Sequence, residues 1–330
     1  MTIRWGLAGL GQLANEWIAQ AFKDTNSGYL VACSGSDSER LEHFGSLHKI
    51  ERRYNRYEDL VRDRSVDAVY IAASNALHHP ITLSAARAGK HVLCQKPMAL
   101  TVHEAEEMVA ACKTAGVLLR VGLQLRFQQV LRAAAKEVSK GRIGVVQEVT
   151  AQRYAPTHEA KGWRHNLKLA GAGALADVGV HVLDFVQWVV NDRITCVFAF
   201  ADPPRSSGLP DEKVTMLLKC SGGCHATIRC SRKMPLGRND LQVFGTEGIL
   251  ATGPLRWVDK HQLTIRTADE FEEREYAVDN LYLREIEAFA EELAGTKTPA
   301  ATGEEGLQLV RITQALIRSL ETGSAISVEG

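Results

Sequence analysis

The feature that most constrains the fold is a glycine motif directly after the first apolar segment. Residues 3–8 are typical of a strand, and they run into Gly9-Leu10-Gly11-Gln12-Leu13-Ala14 ahead of a helical stretch. In such a strand–turn–helix, the first glycine permits a tight turn and the second lets a pyrophosphate approach the backbone. The small sixth residue lets helix and strand pack closely. The motif therefore predicts an α/β sheet that binds a dinucleotide. The alternative is a small-residue turn in another α/β protein.

Short apolar runs alternate with helical segments through the first third of the chain. The predicted strands are Ile3–Ala8, Tyr29–Cys33, Val66–Ala73, His91–Cys94 and Val117–Leu123. One intervening helix is expected to open at Pro80 and close at Gly89. Another begins with a capping box formed by Thr101 and Glu104. This alternation predicts a doubly wound parallel sheet, a Rossmann domain, over residues 1–123.

The pattern changes after residue 123. Helical segments are predicted at 128–140 and 174–190, with extended segments from Ile143 to Tyr154 and onward to about Arg266. Two helices, 282–293 and 304–320, close the chain. A run of strands with few helices predicts an α+β domain with a large, mostly antiparallel open sheet. We assign residues 124–330 to this second domain, for substrate binding and oligomerisation, since 330 residues exceed one typical core.

Composition excludes several classes of function. Lys+Arg and Asp+Glu balance at 39 each, so the clustered basic excess of nucleic-acid or anionic-membrane binding is not indicated. No apolar run approaches the length of a membrane-spanning helix, and no secretory signal is visible, so a cytoplasmic protein is expected. The seven irregularly spaced cysteines are expected to be reduced thiols.

One cysteine cluster admits two interpretations. Cys220-Ser221-Gly222-Gly223-Cys224-His225, followed by Cys230, can be taken as a zinc site. Apolar residues alternate up to the Ser-Gly-Gly turn and away from it, which is typical of a hairpin with small apolar side chains on shared faces. The hairpin is favoured because paired Cys-x-x-Cys knuckles are absent, and no metal is predicted.

The end of the second strand bears on the choice of cofactor. An NAD-selective site usually has an acid here that binds the ribose hydroxyl. This chain has Ser34, Gly35 and Ser36 instead; Asp37 lies slightly beyond the usual position of the acid, and Arg40 follows it. Small hydroxyls and an arginine favour the 2′-phosphate of NADP(H), and NAD(H) is the alternative.

Several motifs together resemble the Gfo/Idh/MocA oxidoreductases. The resemblance rests on the glycine motif, the Lys-Pro motif and an Asp-x-x-x-His motif, and it spans nearly the whole chain. The segments are 9–14, Asn75-Ala76-Leu77-His78-His79-Pro80, Gly89 to Pro97, Gly162-Trp163-Arg164, Gly171 to His181 and Phe244-Gly245-Thr246-Glu247-Gly248.

The resemblance implies a catalytic Lys–Asp–His set, carried over as Lys96, Asp177 and His181. It implies cofactor contacts from Gly9, Gly11, Gln12, Leu13, Ser34, Ser36, Arg40, Ser74, Asn75, His78, Gln95 and Lys96. Weaker candidates for the substrate wall, beside Asp177 and His181, are Arg126, Tyr154, His158, Trp163 and Arg164.

The residues themselves support part of this assignment. Lys96 follows a predicted strand at the carboxyl edge of the sheet, where such folds place ligands. Asp177 and His181 are four apart on a predicted helix and share one face. Asp184 and Gln187 continue that narrow polar stripe, which we interpret as the edge of a cavity on an otherwise buried helix.

One departure from the family pattern concerns the lysine. The family usually has Glu-Lys-Pro, and this chain has Gln95-Lys96-Pro97. An amide keeps hydrogen bonds but not the negative charge, so we expect Lys96 to deprotonate more easily.

The leading hypothesis is an oxidoreductase that transfers a hydride between NADP(H) and a sugar, cyclic polyol or related hydroxy-carbonyl compound. Two alternatives of similar fold are an NAD-dependent glycoside hydrolase and a non-catalytic NADP-binding regulator. The apolar strands 214–218 and 226–228 predict a homodimer or homotetramer formed through the open sheet.

Overall fold

The structure is a computed structural model that describes residues 2–156, 162–234, 239–255 and 258–328. The chain divides into two compact units. The first contains residues 1–124 and 280–310, and the second contains residues 125–279 and 311–330.

The first unit is built on a seven-stranded sheet. Its strands are β1 (Ile3–Ala8), β2 (Gly28–Ser34), β3 (Arg52–Tyr54), β4 (Ala68–Ile71), β5 (His91–Gln95), β6 (Leu119–Gly122) and β15 (Ala301–Thr302). The order is β15-β6-β5-β4-β1-β2-β3, and all neighbours pair in parallel except β15 with β6. The predicted Rossmann sheet is confirmed, with the strand order of dinucleotide-binding folds.

Helices flank the strands of this sheet. They are α1 (Ala19–Asp24), preceded by a π-helical turn (Ala14–Ile18), then α2 (Ser38–Leu47), α3 (Tyr57–Arg62), α4 (Asn75–Arg87), α5 (Val102–Ala115) and α9 (Leu281–Leu293). The predicted capping box at Thr101 and Glu104 is confirmed. The predicted start of α4 at Pro80 is wrong, because the helix begins at Asn75 and carries the proline inside.

An aromatic cluster forms the core of the first unit. The ring of Trp5 lies 4.9 Å from Phe289, 5.7 Å from Phe22 and 6.2 Å from Tyr70, measured between ring centroids. Phe289 is on α9, so residues 280–310 return to the first unit although the sequence assigned them to the second domain. The predicted boundary at residue 123 lies beside Gln124, where the N-terminal stretch of this unit ends.

The second unit is built on a nine-stranded sheet. Its strands are β7 (Val146–Tyr154), β8 (Ile194–Asp202), β9 (Lys213–Cys220), β10 (His225–Ser231), β11 (Asp240–Gly245), β12 (Gly248–Thr252), β13 (Lys260–Thr267), β14 (Phe271–Ala277) and β16 (Ile326–Ser327). The order is β14-β13-β12-β11-β7-β10-β9-β8-β16, antiparallel except for the pair β7–β10. The predicted antiparallel sheet and the β9–β10 hairpin are confirmed.

The helices of the second unit are α6 (Gln129–Ser139), α7 (Leu167–Ala170) and α8 (Val180–Val190), and α10 (Gly303–Thr322) contributes residues to both units. A π-helical turn (Leu175–Gly179) leads into α8. Among the described residues, the stretch 167–190 is long and apolar enough to span a membrane by composition. Its most apolar part is 83% buried within the fold, as in the core helix of a globular protein.

Candidate functional site

The glycine turn after β1 has the geometry that a pyrophosphate requires. Gly9 has φ of +97°, and a Cβ there would lie 2.5 Å from the backbone nitrogen of Ala73. The amide of Gly9 also donates to the carbonyl of Ser34, at 3.0 Å. A Cβ on Gly11 would meet nothing within 4 Å, so open space lies above that residue. The turn therefore fits the dinucleotide that the motif predicts.

The helix after this turn begins at Gln12. The side chain of Gln12 is exposed and donates to Glu16 at 2.9 Å, while Leu13 packs against the aromatic core. The π-helical turn that follows lies in the first part of the same helix. Local π-helical turns are frequent at functional sites, and this one adjoins the glycine turn after β1.

The residues near the end of β2 that are predicted to contact the cofactor differ in their exposure. Ser34 is buried, whereas Ser36 and Arg40 are exposed. Asp37 caps α2 by accepting the backbone N–H of Arg40 at 3.0 Å, and its other oxygen lies 3.6 Å from the guanidinium of Arg40. Ser36 and Arg40 are therefore the exposed ones among the residues predicted to contact the cofactor at the end of β2.

The turn after β5 holds Lys96, with a cis bond to Pro97. His78, on α4, reaches this turn: Nδ1 lies 2.8 Å from the carbonyl of Pro97 and Nε2 lies 3.2 Å from the carbonyl of Ala73. Burial, with a smaller contribution from the charge of Lys96, lowers the pKa of His78 to about 4 although the contacts with the two carbonyls raise it, so the ring is neutral at pH 7. His78 thus supports the two turns that follow β4 and β5. The neighbouring Ser74 is the N-cap of α4, and Asn75 is buried.

Beneath the Lys96 turn lies a polar cluster that the sequence analysis missed. The amide of Gln95 is buried and donates to the Tyr70 hydroxyl at 2.7 Å, and Tyr70 donates to Glu285 at 2.6 Å. Gly122, opposite Gln95 on β6, leaves room for that amide, because a Cβ there would lie 2.4 Å from its nitrogen.

Glu285 is the unexpected member of this cluster. It is fully buried on α9, and among the described residues its Oε1 has no hydrogen-bond partner. Burial raises the pKa of Glu285 to about 8, against a smaller lowering by Tyr70. The available signal was an acid four residues before Phe289, on the apolar face of the helix.

In the second unit, three predicted site residues lie close together. The guanidinium of Arg164 lies 4.6 Å from the ring centroid of Trp163, and its Nε lies 3.9 Å from a carboxylate oxygen of Asp177. Asp177 is on the π-helical turn and half-buried, while His181 is buried in the first turn of α8. Trp163, Arg164 and Asp177 therefore form one partly exposed polar cluster.

The interpretation of the polar stripe on α8 needs correction. Asp184 is buried and binds Arg126 through two guanidinium nitrogens, Nε at 2.9 Å and Nη2 at 2.6 Å. The side-chain oxygen of Gln187 accepts the backbone N–H of Ile194 at 3.1 Å. Asp184 is therefore an interior ion-pair partner, whereas the half-buried Gln187 holds the backbone at the start of β8. Arg126, predicted for the substrate wall, has its charge compensated by Asp184.

The two remaining candidates for the substrate wall are Tyr154 and His158. Tyr154 is half-buried at the end of β7, and its backbone N–H donates to Asn239 at 2.7 Å. His158 lies outside the described residues.

Family models match both halves of the chain. A model described as an oxidoreductase family with an NAD-binding Rossmann fold matches residues 3–123. The GFO/IDH/MocA C-terminal domain matches residues 131–251.

Named relatives agree with these matches. The chain is 32% identical to 1,5-anhydro-D-fructose reductase of Ensifer adhaerens, over 99% of this chain and 98% of that protein. It is 28% identical to trans-1,2-dihydrobenzene-1,2-diol dehydrogenase of Bos taurus, over 76% of this chain and 73% of that protein.

A solved structure shows the same fold at similar identity. Aldose-aldose oxidoreductase from Caulobacter crescentus, complexed with glycerol, superposes with a TM-score of 0.89 at 28% identity and covers 99% of this chain and 100% of its own. The chain therefore belongs to the Gfo/Idh/MocA family of NAD(P)-binding oxidoreductases, which are dehydrogenases and reductases that act on CH–OH groups.

Proposed function

We propose that this protein is an NADP(H)-dependent oxidoreductase that interconverts a hydroxyl and a carbonyl on a sugar, cyclic polyol or related compound. One continuous set of contacts in the first unit supports this proposal most strongly. Gly9 packs against Ala73, and His78 contacts the carbonyls of both Ala73 and Pro97. The glycine turn after β1 and the Lys96 turn are thereby held at one edge of the parallel sheet, where such folds bind ligands.

The cofactor would be held by the residues of that edge. The backbone at Gly9 and Gly11 and the start of the following helix would bind the pyrophosphate. Ser36 and Arg40 would bind the 2′-phosphate, which makes NADP(H) the preferred cofactor and NAD(H) the alternative. When bound, the nicotinamide donates or accepts the hydride, and the protein provides alignment and proton transfer.

Three residues are proposed for the chemistry. His181 would give a proton to the substrate oxygen during reduction and remove it during oxidation, a role that typically contributes about 10²–10⁴-fold in rate. Lys96 would bind and polarise the same oxygen. Asp177, held near Arg164, would bind or orient the substrate, with Trp163 and Tyr154 as further candidates for the substrate wall.

The substrate class rests on the named relatives, whose substrates include anhydrofructose and an aldose. We further propose that the enzyme works as a homodimer or homotetramer in the cytoplasm. All seven cysteines are free thiols, which is consistent with a reducing compartment.

The test is a panel of sugars, sugar-derived ketones and polyols with NADP⁺, NADPH, NAD⁺ and NADH, followed by absorbance of the reduced nicotinamide. The proposal predicts turnover of at least one sugar-like compound, faster with the phosphorylated cofactor. Release of a glycosidic leaving group without net change in that absorbance would favour the hydrolase. Tight cofactor binding without either reaction would favour the regulator.

A further inference from the structure

Three side chains able to bind a metal meet at the β9–β10 hairpin of the second unit. They are Asp192, which follows α8, and Cys220 and Cys224, which flank the turn of the hairpin. One carboxylate oxygen and the two sulfur atoms lie within 4.8 Å of one another. Among the residues that the structure describes, this is the one group of three or more His, Cys, Asp or Glu side chains with such spacing.

The turn of the hairpin brings the two cysteines together. The amide of Cys220 donates to the carbonyl of Cys224 at 2.9 Å, and the amide of Gly223 donates back to the carbonyl of Cys220 at 3.1 Å. Gly223 has φ of +96°, which lets the extra residue fit into the turn. Both thiols are buried, while the three turn residues between them are exposed.

Asp192 is fixed to the same turn from the other side. Asn191 ends α8 in the left-handed conformation, with φ of +52°, and Asp192 follows it. The carboxylate accepts the backbone N–H of Gly222 at 2.9 Å and the hydroxyl of Ser221. It is therefore held beside the two sulfur atoms by contacts that leave both thiols available.

The charges at this cluster favour a cation. A carboxylate oxygen of Asp192 and the two sulfur atoms lie within 4.8 Å of one another, so thiolates at this place would be repelled by the carboxylate. A bound divalent cation removes this repulsion and stabilises the thiolates.

We propose that Asp192, Cys220 and Cys224 bind a thiophilic divalent cation of the Zn²⁺ class, with water as the fourth ligand. Two sulfur ligands select a soft or borderline cation over Mg²⁺ or Ca²⁺, which prefer oxygen ligands. The bound cation connects the C-terminal end of α8 to the hairpin and stabilises the folded chain. The sequence alone favours a hairpin over a zinc site, because paired Cys-x-x-Cys knuckles are absent and nothing in it places Asp192, 28 residues before Cys220, beside the two cysteines.

The first test titrates the reduced, metal-free full-length chain with Co²⁺ and then with Zn²⁺. One equivalent of Co²⁺ should produce a thiolate-to-cobalt charge-transfer band in the near ultraviolet, and Zn²⁺ should displace it. Cys220→Ser and Cys224→Ser should each abolish the band. The matched control is Cys196→Ser, which changes a half-exposed cysteine on β8 and should keep it. Asp192→Asn should weaken Co²⁺ binding by about tenfold or more.

A second measurement uses the unmodified chain and does not depend on folding of variants. Because both thiols are buried, their alkylation requires local opening of the hairpin, and Zn²⁺ should slow it at Cys220 and Cys224. Mass spectrometry of peptides measures these rates, and Cys196 should react at an unchanged rate. A band at one equivalent that survives either serine substitution overturns the proposal. So does the absence of the band and of the protection, or an unchanged affinity in Asp192→Asn. Isolation of a Cys220–Cys224 disulfide that binds no metal after reduction would identify the pair as a redox couple instead.

Discussion

A side-chain oxygen of Glu285 lies 3.4 Å from the amide nitrogen of Gln95, so a carboxyl group is present below the Lys96 turn although position 95 carries none. The two residues are far apart in sequence and meet because α9 packs against the sheet of the first unit. Tyr70 connects them through its hydroxyl. In this chain the strand therefore carries an amide, and the acid beside it comes from a helix.

The first prediction concerns the pH dependence of stability. The pKa of Glu285 is raised to about 8, so the folded chain keeps a proton that the unfolded chain loses near the ordinary glutamate pKa. Raising the pH from about 4.5 to 8 should therefore remove stability from the wild type, on the order of a few kcal/mol. In Glu285→Gln this loss should be absent, as measured by urea unfolding at several pH values.

Two further variants control this experiment. Glu291→Gln changes an exposed acid on the same helix and should keep the wild-type pH dependence. Gln95→Glu would place a second acid beside Glu285 and should be strongly destabilised at neutral pH, whereas Gln95→Glu with Glu285→Gln should recover part of the loss. Equal stability of the single and the double variant would contradict the proposed coupling.

Local signals predicted much of the fold, and long-range contacts account for what they missed. The strand Ile3–Ala8, the capping box of Thr101 and the turn at Gly223 depend on neighbouring residues and were predicted correctly. The burial of Glu285 depends on a helix about 200 residues from its partners Tyr70 and Gln95.

The same limit applies to the candidate site. The periodicity that placed Asp184 on one face with His181 was real, but a periodic pattern does not show whether that face meets solvent or a buried arginine such as Arg126. The glycine motif was more reliable, since its residues are required by the backbone of the turn itself.

The second prediction concerns His78. Its pKa is lowered to about 4, so as the pH falls the unfolded chain binds a proton near pH 6.5, whereas the folded chain binds it only near pH 4. The contribution of His78 to stability is present above pH 6.5 and is lost as the pH falls toward 4, by roughly 3 kcal/mol. His78→Gln should lose less stability than the wild type over that interval. His103→Gln, at an exposed position on α5, should behave as the wild type does.

The third prediction concerns cofactor choice. The side chain of Arg40 is 62% exposed and lies 3.6 Å from Asp37, three residues earlier. If it binds the 2′-phosphate, Arg40→Ala should weaken NADP⁺ binding by roughly 1.5–3 kcal/mol and leave NAD⁺ binding nearly unchanged. Isothermal titration calorimetry with both cofactors measures the difference.

A matched control for Arg40 is available on α3. Arg62 is also exposed and lies 3.6 Å from Asp59, again three residues earlier. Arg62→Ala should leave the affinity for both cofactors unchanged. Equal weakening of NADP⁺ and NAD⁺ by Arg40→Ala, or tighter binding of NAD⁺ by the wild type, would refute the assignment.

The fourth prediction concerns assembly. Val214, Met216 and Leu218 of β9 are buried, whereas Leu217 is exposed and opposes Phe198 on β8. Phe200, on the same face, is 64% exposed. Phe200→Glu should shift the proposed oligomer to a 36.2 kDa monomer in sedimentation analysis, because it adds a charge to an apolar contact surface. Val278→Glu, at an exposed apolar residue outside the strands, should not. A wild-type chain that is monomeric at micromolar concentration would contradict the assembly.

The fifth prediction concerns catalysis by Lys96 and His181. Lys96→Met should leave cofactor binding nearly intact while kcat falls by about two or more decades, since it removes an interaction at the reacting oxygen. Lys113→Met, at an exposed position on α5, is the control and should keep full activity. His181→Asn should lower kcat similarly and should also flatten one limb of the pH profile of kcat/KM, because the general acid–base group is lost. Wild-type turnover in Lys96→Met would show that the proposed site is wrong, while the family and the fold would stand.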